Sequence, residues 1–174
     1  MSNDLGLDNL DKIIKKEYRV DNDELSEPSC GMKRKIITNP RVISDYKIYR
    51  FDTSSDVIFP YFNKGYGLRQ MCDYIIFVRT MSNKLFILLF ELKKNKESPR
   101  SQLDKSEIFI KFILDRARYV KLWDIDENDI EIRKLDVTDR DRTRETGYTG
   151  EVKYENRYNV LFKEDKIRLV KLLH

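Results

Sequence analysis

Two acids and a lysine stand where buried strands are predicted to begin or end in this 174-residue chain. The apolar run at residues 85–90 leads directly into Glu91-Leu92-Lys93, and Asp73 precedes a second β-rich run. A continuous apolar run is typical of a strand buried on both faces, and charges at its end are costly unless they are paired, solvated or bound. Asp73, Glu91 and Lys93 are therefore the first candidates for chemistry.

The spacing of the two runs predicts a β-hairpin that brings these side chains together. Its loop is residues 81–83, in which Asn83 takes the left-handed conformation that closes a three-residue turn. The register that follows from this loop places Asp73 directly opposite Glu91, with their side chains on one face of the sheet. Lys93 lies two residues beyond Glu91 and points to the same face.

Such a cluster favours metal-dependent hydrolysis of a phosphodiester. Two close carboxylates repel one another, and one of them is pushed to take up a proton unless a cation lies between them. Carboxylate oxygens on a rigid scaffold are typical ligands of Mg²⁺ or Mn²⁺, and such an ion neutralises phosphate charge and activates water. Lys93 would hold the attacking water and stabilise the developing charge. The only histidine is His174, which disfavours mechanisms that need a placed imidazole.

Asp73 followed on its hairpin partner by Glu91-Leu92-Lys93 resembles the motif of the PD-(D/E)XK nuclease superfamily, which has the restriction-endonuclease-like fold. The resemblance covers residues 70–137. It implies that Asp73 and Glu91 are metal ligands and that Lys93 is the catalytic lysine. It also implies endonuclease activity on DNA, and a role in restriction or anti-phage defence by analogy.

Five further residues are weaker candidates for the same site. Gln102, in the first turn of the next predicted helix, resembles an orienting glutamine of the RecB-type branch. Some superfamily members take another metal-ligating glutamate from the first helix, and Glu17 is the candidate for it. Lys94, Lys96 and Arg100 follow the proposed metal site and are expected to hold phosphates, or only water.

These residues are positioned by a chain whose patterns alternate between helix and strand. We predict a helix over residues 4–18, a long loop over 19–33, and, after several short strands and the hairpin, a helix over 99–121 with Ser98 as its cap. A strand follows at 129–137. The closing segment at 164–173 has no period that separates helix from strand.

The predicted fold class is α/β, with a restriction-endonuclease-like core. We expect a mixed, mainly antiparallel sheet flanked by helices, with the hairpin at its centre and the 99–121 helix packed across it. A chain of 174 residues has the length of one domain. We therefore predict a single nuclease-like domain over residues 1–174, with an N-terminal helix and loop extension over about 1–33.

Charge and cysteine content bear on partners and compartment. The formal charge is +4, and residues 1–30 hold eight acids and four bases, so the rest of the chain is net +8. That surplus suits a polyanion, and DNA is expected in preference to RNA.

Cys30 and Cys72 are too few for a zinc site or a disulfide framework. With no apolar stretch of membrane-spanning length and no secretory signal, we expect a cytoplasmic protein and no membrane partner.

Other interpretations remain open from the sequence. Asp73, Glu91 and Lys93 are also compatible with a solvated ion cluster at a sheet edge. The same fold can serve as a non-catalytic nucleic-acid-binding or protein-interaction module, or as an RNA-directed nuclease. The sequence also leaves open whether the chain acts as a homodimer.

Overall fold

The structure is a computed structural model that describes residues 7–51, 59, 61–63, 67–93, 100–139, 159–161 and 165–174. Its strands and helices are β1 (Arg19–Val20), β2 (Glu24–Glu27), β3 (Met32–Ile37), β4 (Ile43–Tyr49), β5 (Tyr74–Thr80), β6 (Leu85–Lys93), β7 (Ile130–Thr138), β8 (Asn159–Leu161), β9 (Lys166–Arg168), α1 (Leu10–Ile13) and α2 (Arg100–Tyr119). Within these ranges no helix has the length and apolar character needed to cross a membrane.

A six-stranded mixed sheet forms the centre of the fold, in the order β1-β4-β5-β6-β7-β8. The pairings from β1 through β6 are antiparallel, whereas β7 pairs in parallel with β6, and β8 in parallel with β7. The parallel β6–β7 pair requires a crossover, which α2 supplies. The α/β class with a mixed sheet is confirmed, and the β5–β6 hairpin occupies the two central positions as predicted.

The hairpin has the register that its loop predicts. Tyr74 pairs with Phe90, and the pairing continues without a shift to Arg79 and Leu85. Asn83 has a φ of 65°, the left-handed conformation expected for it, and its N–H donates to the Thr80 carbonyl. Local turn chemistry therefore determines which residues face one another at the open end of the hairpin.

Helix α2 packs across β6 and β7 and covers one face of the central sheet. Its buried stripe consists of Leu103, Ser106, Ile110, Leu114 and Ala117. The odd-numbered residues of the hairpin pack against the apolar members of this stripe in one core: Ile75, Phe77, Leu85, Ile87 and Leu89. Burial of both surfaces is the main stabilisation of the helix in this position.

An ion-pair cluster and a left-handed residue complete the docking of α2. Lys134 of β7 is buried, and its ammonium group pairs with Asp104 at 2.5 Å and with Glu107. Lys121, two residues beyond the last helical residue, has a φ of 60°, a left-handed conformation that commonly follows a helix end. The predicted helix over 99–121 is confirmed for Arg100–Tyr119, whereas the predicted cap at Ser98 lies outside the described residues.

A second, three-stranded sheet, which the sequence did not predict, covers the opposite face. Its order is β2-β3-β9, with β2 antiparallel and β9 parallel to β3. Met32, Ile36 and Ile167 from this sheet share a core with the even-numbered residues of the hairpin. The hydroxyl of Tyr74 also joins the sheets, because it accepts from the Ser26 N–H at 2.9 Å and donates to the Ser26 carbonyl at 2.7 Å.

The predicted helix over residues 4–18 is only partly confirmed, because it is broken into short pieces. A 3-10 turn at Leu7–Asn9 leads into the α-helix at Leu10–Ile13, Ile14 is extended, with φ −110° and ψ 131°, and a second 3-10 turn follows at Lys16–Tyr18. Asp8 and Asp11 both bind the buried ammonium of Lys47, at 3.0 and 2.6 Å. Both contacts join this segment to β4, which is far away in the sequence. The segment forms only a short α-helix, although its local pattern favoured a long one.

The predicted loop over residues 19–33 is also wrong, because it contains β1, β2 and the start of β3. These short strands have weak patterns of their own and are paired by distant segments. The closing segment combines both alternatives, since β9 leads into a 3-10 turn at Leu169–Leu172. The strand predicted at residues 129–137 is confirmed as β7.

Candidate metal centre

The open end of the hairpin brings Asp73, Glu91 and Lys93 together. Asp73 directly precedes β5, and the other two lie at the end of β6. Because strand side chains alternate, all three continue the odd-numbered series that faces α2. One oxygen of Glu91 accepts from the Asp73 backbone N–H at 3.1 Å, and the other pairs with the Lys93 ammonium at 2.9 Å. Asp73 accepts in turn from the Leu92 N–H at 2.6 Å.

Burial makes this carboxylate pair electrostatically costly. Glu91 is 1% exposed and Asp73 is 5% exposed. Burial raises the pKa of Glu91, the charge of Asp73 raises it further, and Lys93 only partly offsets them, so that this pKa reaches about 7. A positive charge added beside the pair would stabilise the ionised form of Glu91.

Lys93 already supplies part of the counter-charge that the sequence assigned to a metal ion. Its ion pair with Glu91 occupies one carboxylate oxygen, so a cation bound by Glu91 competes with Lys93 at that atom. A donor set of two carboxylates still fits Mg²⁺, which keeps several water ligands and binds through one or two carboxylates. Asp73 and Glu91 are the residues that would hold such an ion.

The structure does not bring Glu17 into this site. Its side chain is half exposed in a 3-10 turn and pairs with Lys15 at 3.2 Å. Over the described ranges, no group of three or more His, Cys, Asp and Glu residues is placed so that it could hold a metal ion. The candidate metal site in this conformation is therefore the Asp73–Glu91 pair without Glu17.

Helix α2 anchors the segment that leads into Asp73. The buried Ser106 hydroxyl accepts from the Cys72 N–H at 2.8 Å and donates to the Gln102 carbonyl at 2.8 Å. Gln102 itself reaches the Met71 carbonyl through its side-chain amide at 3.5 Å, a long contact. Gln102 therefore lies beside the segment that leads into Asp73, and Ser106 makes the stronger anchor. A polar residue in the apolar stripe of α2 was the signal that the sequence offered for it.

Strand β7 places two more polar residues next to the hairpin end. The parallel register pairs Asp136 with Glu91 and Thr138 with Lys93. Paired residues on neighbouring strands point to the same face, so both belong to the face that α2 covers. The sequence predicted this strand but not its pairing, and for that reason it missed Asp136 as a neighbour of Glu91.

Of the three predicted phosphate-contacting residues, only Arg100 lies in a described segment. It is exposed and is the first residue of α2 in the structure. Lys94 and Lys96 lie outside the described residues.

Chemically, the site combines a buried pair of hard oxygen donors with an amine at its edge. The pair can hold a divalent cation, and the Lys93 ammonium can donate hydrogen bonds to an anion beside it. Comparison of the chain with protein-family models, with curated proteins and with solved structures found no match in any of the three.

Proposed function

We propose that the chain is a Mg²⁺- or Mn²⁺-dependent nuclease that hydrolyses DNA phosphodiester bonds on a restriction-endonuclease-like core. The observation that carries the proposal is the meeting of Asp73, Glu91 and Lys93 at one buried sheet end. The hairpin register, the raised pKa of Glu91 and the helix across the hairpin support it. The net positive charge of the chain agrees with a polyanionic substrate.

Asp73 and Glu91 would hold the ion through their carboxylate oxygens. When bound, such an ion neutralises phosphate charge and lowers the pKa of a bound water. Lys93 would exchange its pairing with Glu91 for hydrogen bonds to the attacking water or a phosphate oxygen, where its charge stabilises the transition state. Gln102 is assigned a weaker orienting role through the chain segment before Asp73.

Further assignments extend the proposal beyond Asp73, Glu91 and Lys93. Arg100, with Lys94 and Lys96, would contact substrate phosphates. Glu17 would join the metal only after the N-terminal turn rearranged. A homodimer, a cytoplasmic location and a role in restriction or anti-phage defence are extensions by analogy with the superfamily.

A cleavage assay tests the proposal directly. Labelled duplex DNA, single-stranded DNA and RNA are incubated with the chain in Mg²⁺, Mn²⁺ or EDTA. We expect metal-dependent cleavage of DNA that falls at least about a hundredfold in Asp73→Asn, Glu91→Gln and Lys93→Met. Glu127→Gln and Lys111→Met are matched controls on exposed side chains and should retain full activity.

The outcomes separate the site from the activity. Cleavage that persists in all three site variants would show that the activity belongs to other residues or to a contaminant. Cleavage of RNA alone would move the substrate class to RNA and leave the site assignment intact.

The second candidate function is a non-catalytic nucleic-acid-binding or protein-interaction module with the same fold. The Lys93–Glu91 ion pair favours it, because a lysine that neutralises the carboxylate reduces the need for a metal. Thermal unfolding with and without Mg²⁺ distinguishes the two. A nuclease site should show a rise in melting temperature that disappears in Asp73→Asn, whereas a vestigial site should show no response.

A further inference from the structure

Two exposed aromatic rings lie in the loop that leads into Asp73. Tyr61 and Phe62 are 72% and 37% exposed, and their ring centroids are 4.8 Å apart. Both rings pack on Phe59, with centroid distances of 6.1 and 5.6 Å, and Phe59 packs edge-on against Phe109 of α2 at 5.3 Å. The pair is therefore held on a folded base while much of its ring surface faces solvent.

The described residues of this stretch contact α2 at two points between the rings and the candidate metal centre. Phe59 contacts Phe109, and Gln70 accepts from the Lys105 ammonium at 3.0 Å, one turn closer to the start of the helix. Asp73 follows three residues later. The helix from Phe109 back to the first turn, seven residues away, is about 10 Å long. A few nucleotides of an extended strand can span this separation.

The charge around the rings favours a polyanion. Residues 59–72 contain no acid, although the chain has 30 acidic residues in total. Arg69 lies within this stretch, where its guanidinium donates to the Phe62 carbonyl at 2.6 Å, and Lys105 adjoins it from α2. Cations beside exposed rings are the combination that single-stranded nucleic acids bind, through phosphates and bases respectively.

We propose that Tyr61 and Phe62 form a stacking platform for unpaired bases of a single-stranded DNA segment entering the site. A base inside a duplex has both faces covered by its neighbours, so exposed rings can stack only on unpaired bases. Arg69 and Lys105 lie where they can contact the backbone of the same strand. The inference rests on the proposed function for the site that the platform serves, and it defines the substrate as single-stranded DNA or DNA with an unpaired segment.

Equilibrium binding in EDTA tests the platform without catalysis. Fluorescence anisotropy compares a labelled oligothymidine with a duplex of equal length, for the full chain and for the double variant Tyr61→Ala/Phe62→Ala. We expect the double variant to lose at least about tenfold in affinity for the oligothymidine and to bind the duplex as before. Tyr61→Trp/Phe62→Trp keeps ring surface and should retain single-strand affinity.

Tyr119→Ala supplies the matched control, because Tyr119 is 87% exposed at the far end of α2 and should not affect binding. Equal oligothymidine affinity in the full chain and the double variant would overturn the inference, as would an equal loss for duplex. If the double substitution changes only the oligomeric mass in solution and not the affinity for DNA, this surface is an interface between copies of the chain. That result would also overturn the inference.

The test separates this inference from the proposed function. If no metal supports cleavage but the double variant loses oligothymidine affinity, the platform stands and the nuclease does not. If DNA is cleaved and the double variant cleaves single strands as well as the full chain does, the nuclease stands and the platform does not.

Discussion

Replacing Glu91 with glutamine removes a buried charge that the fold holds at a cost. Burial and the nearby charge of Asp73 raise the pKa of Glu91 from an ordinary 4.5 to about 7, against the opposing effect of Lys93. Glutamine retains an oxygen that can accept from the Asp73 N–H but has no charge. The Glu91→Gln variant therefore isolates the energetic cost of ionising this carboxyl inside the folded chain.

The sign of the pH effect follows from the direction of the pKa change. The native state binds more protons than the unfolded state between pH 4.5 and about 7, so the free energy of unfolding falls as pH rises through this window. The difference between the two pKa values corresponds to about 3 kcal/mol, most of which is lost between pH 5 and pH 8.

Urea unfolding in EDTA at pH 5 and pH 8 measures this loss. The wild type should lose about 2–3 kcal/mol more than Glu91→Gln between the two pH values, because only the wild type has a carboxyl at this position to ionise. The Glu127→Gln control changes an exposed acid and should follow the wild type. Saturating Mg²⁺ should restore stability at pH 8 in the wild type and in Glu127→Gln but not in Glu91→Gln, since the ion stabilises the ionised pair.

One result would refute the reasoning about Glu91. If the wild type and Glu91→Gln show the same change in unfolding free energy between pH 5 and pH 8, the pKa of Glu91 is not raised. In that case the pair is not the strained carboxylate site on which the metal proposal depends.

Two further predictions concern the elements that hold the site in place. Ser106→Ala should lower the free energy of unfolding by about 1–3 kcal/mol in urea titration, because it leaves the buried Cys72 N–H without its acceptor. A loss below about 0.5 kcal/mol would contradict the anchoring role. Asn83→Ala should lower the free energy of unfolding by about 1 kcal/mol in the same measurement, because alanine is disfavoured at a φ of 65°. Asn83→Gly should lower it by less, because glycine adopts this φ readily. The reverse order would contradict the assigned turn.

The hairpin was predictable because its signals are local. The apolar run before Glu91, the three-residue loop and Asn83 together determine the strand pairing, and the structure has that register. The long helix after it was predictable for the same reason, since its buried stripe repeats at helical spacing. Asp73 and Glu91 become neighbours as a direct consequence of the register.

The N-terminal region was not predictable from such signals. Its apolar residues have helical spacing, yet the α-helix ends at Ile13 and short strands follow. The ion pairs of Asp8 and Asp11 with Lys47 link this region to β4, which is more than thirty residues away. Contacts of that separation leave no periodic pattern in the segment itself.

The sequence by itself determined the hairpin, its loop and the convergence of Asp73, Glu91 and Lys93 on one face. Only the tertiary structure decided that Lys93 pairs with Glu91, that Ser106 anchors the chain before Asp73, and that Asp136 lies beside Glu91. The physical reason is the range of the interactions. Strand period and turn geometry act over a few residues, whereas burial, the packing of α2 and the parallel pairing of β7 depend on the whole folded chain.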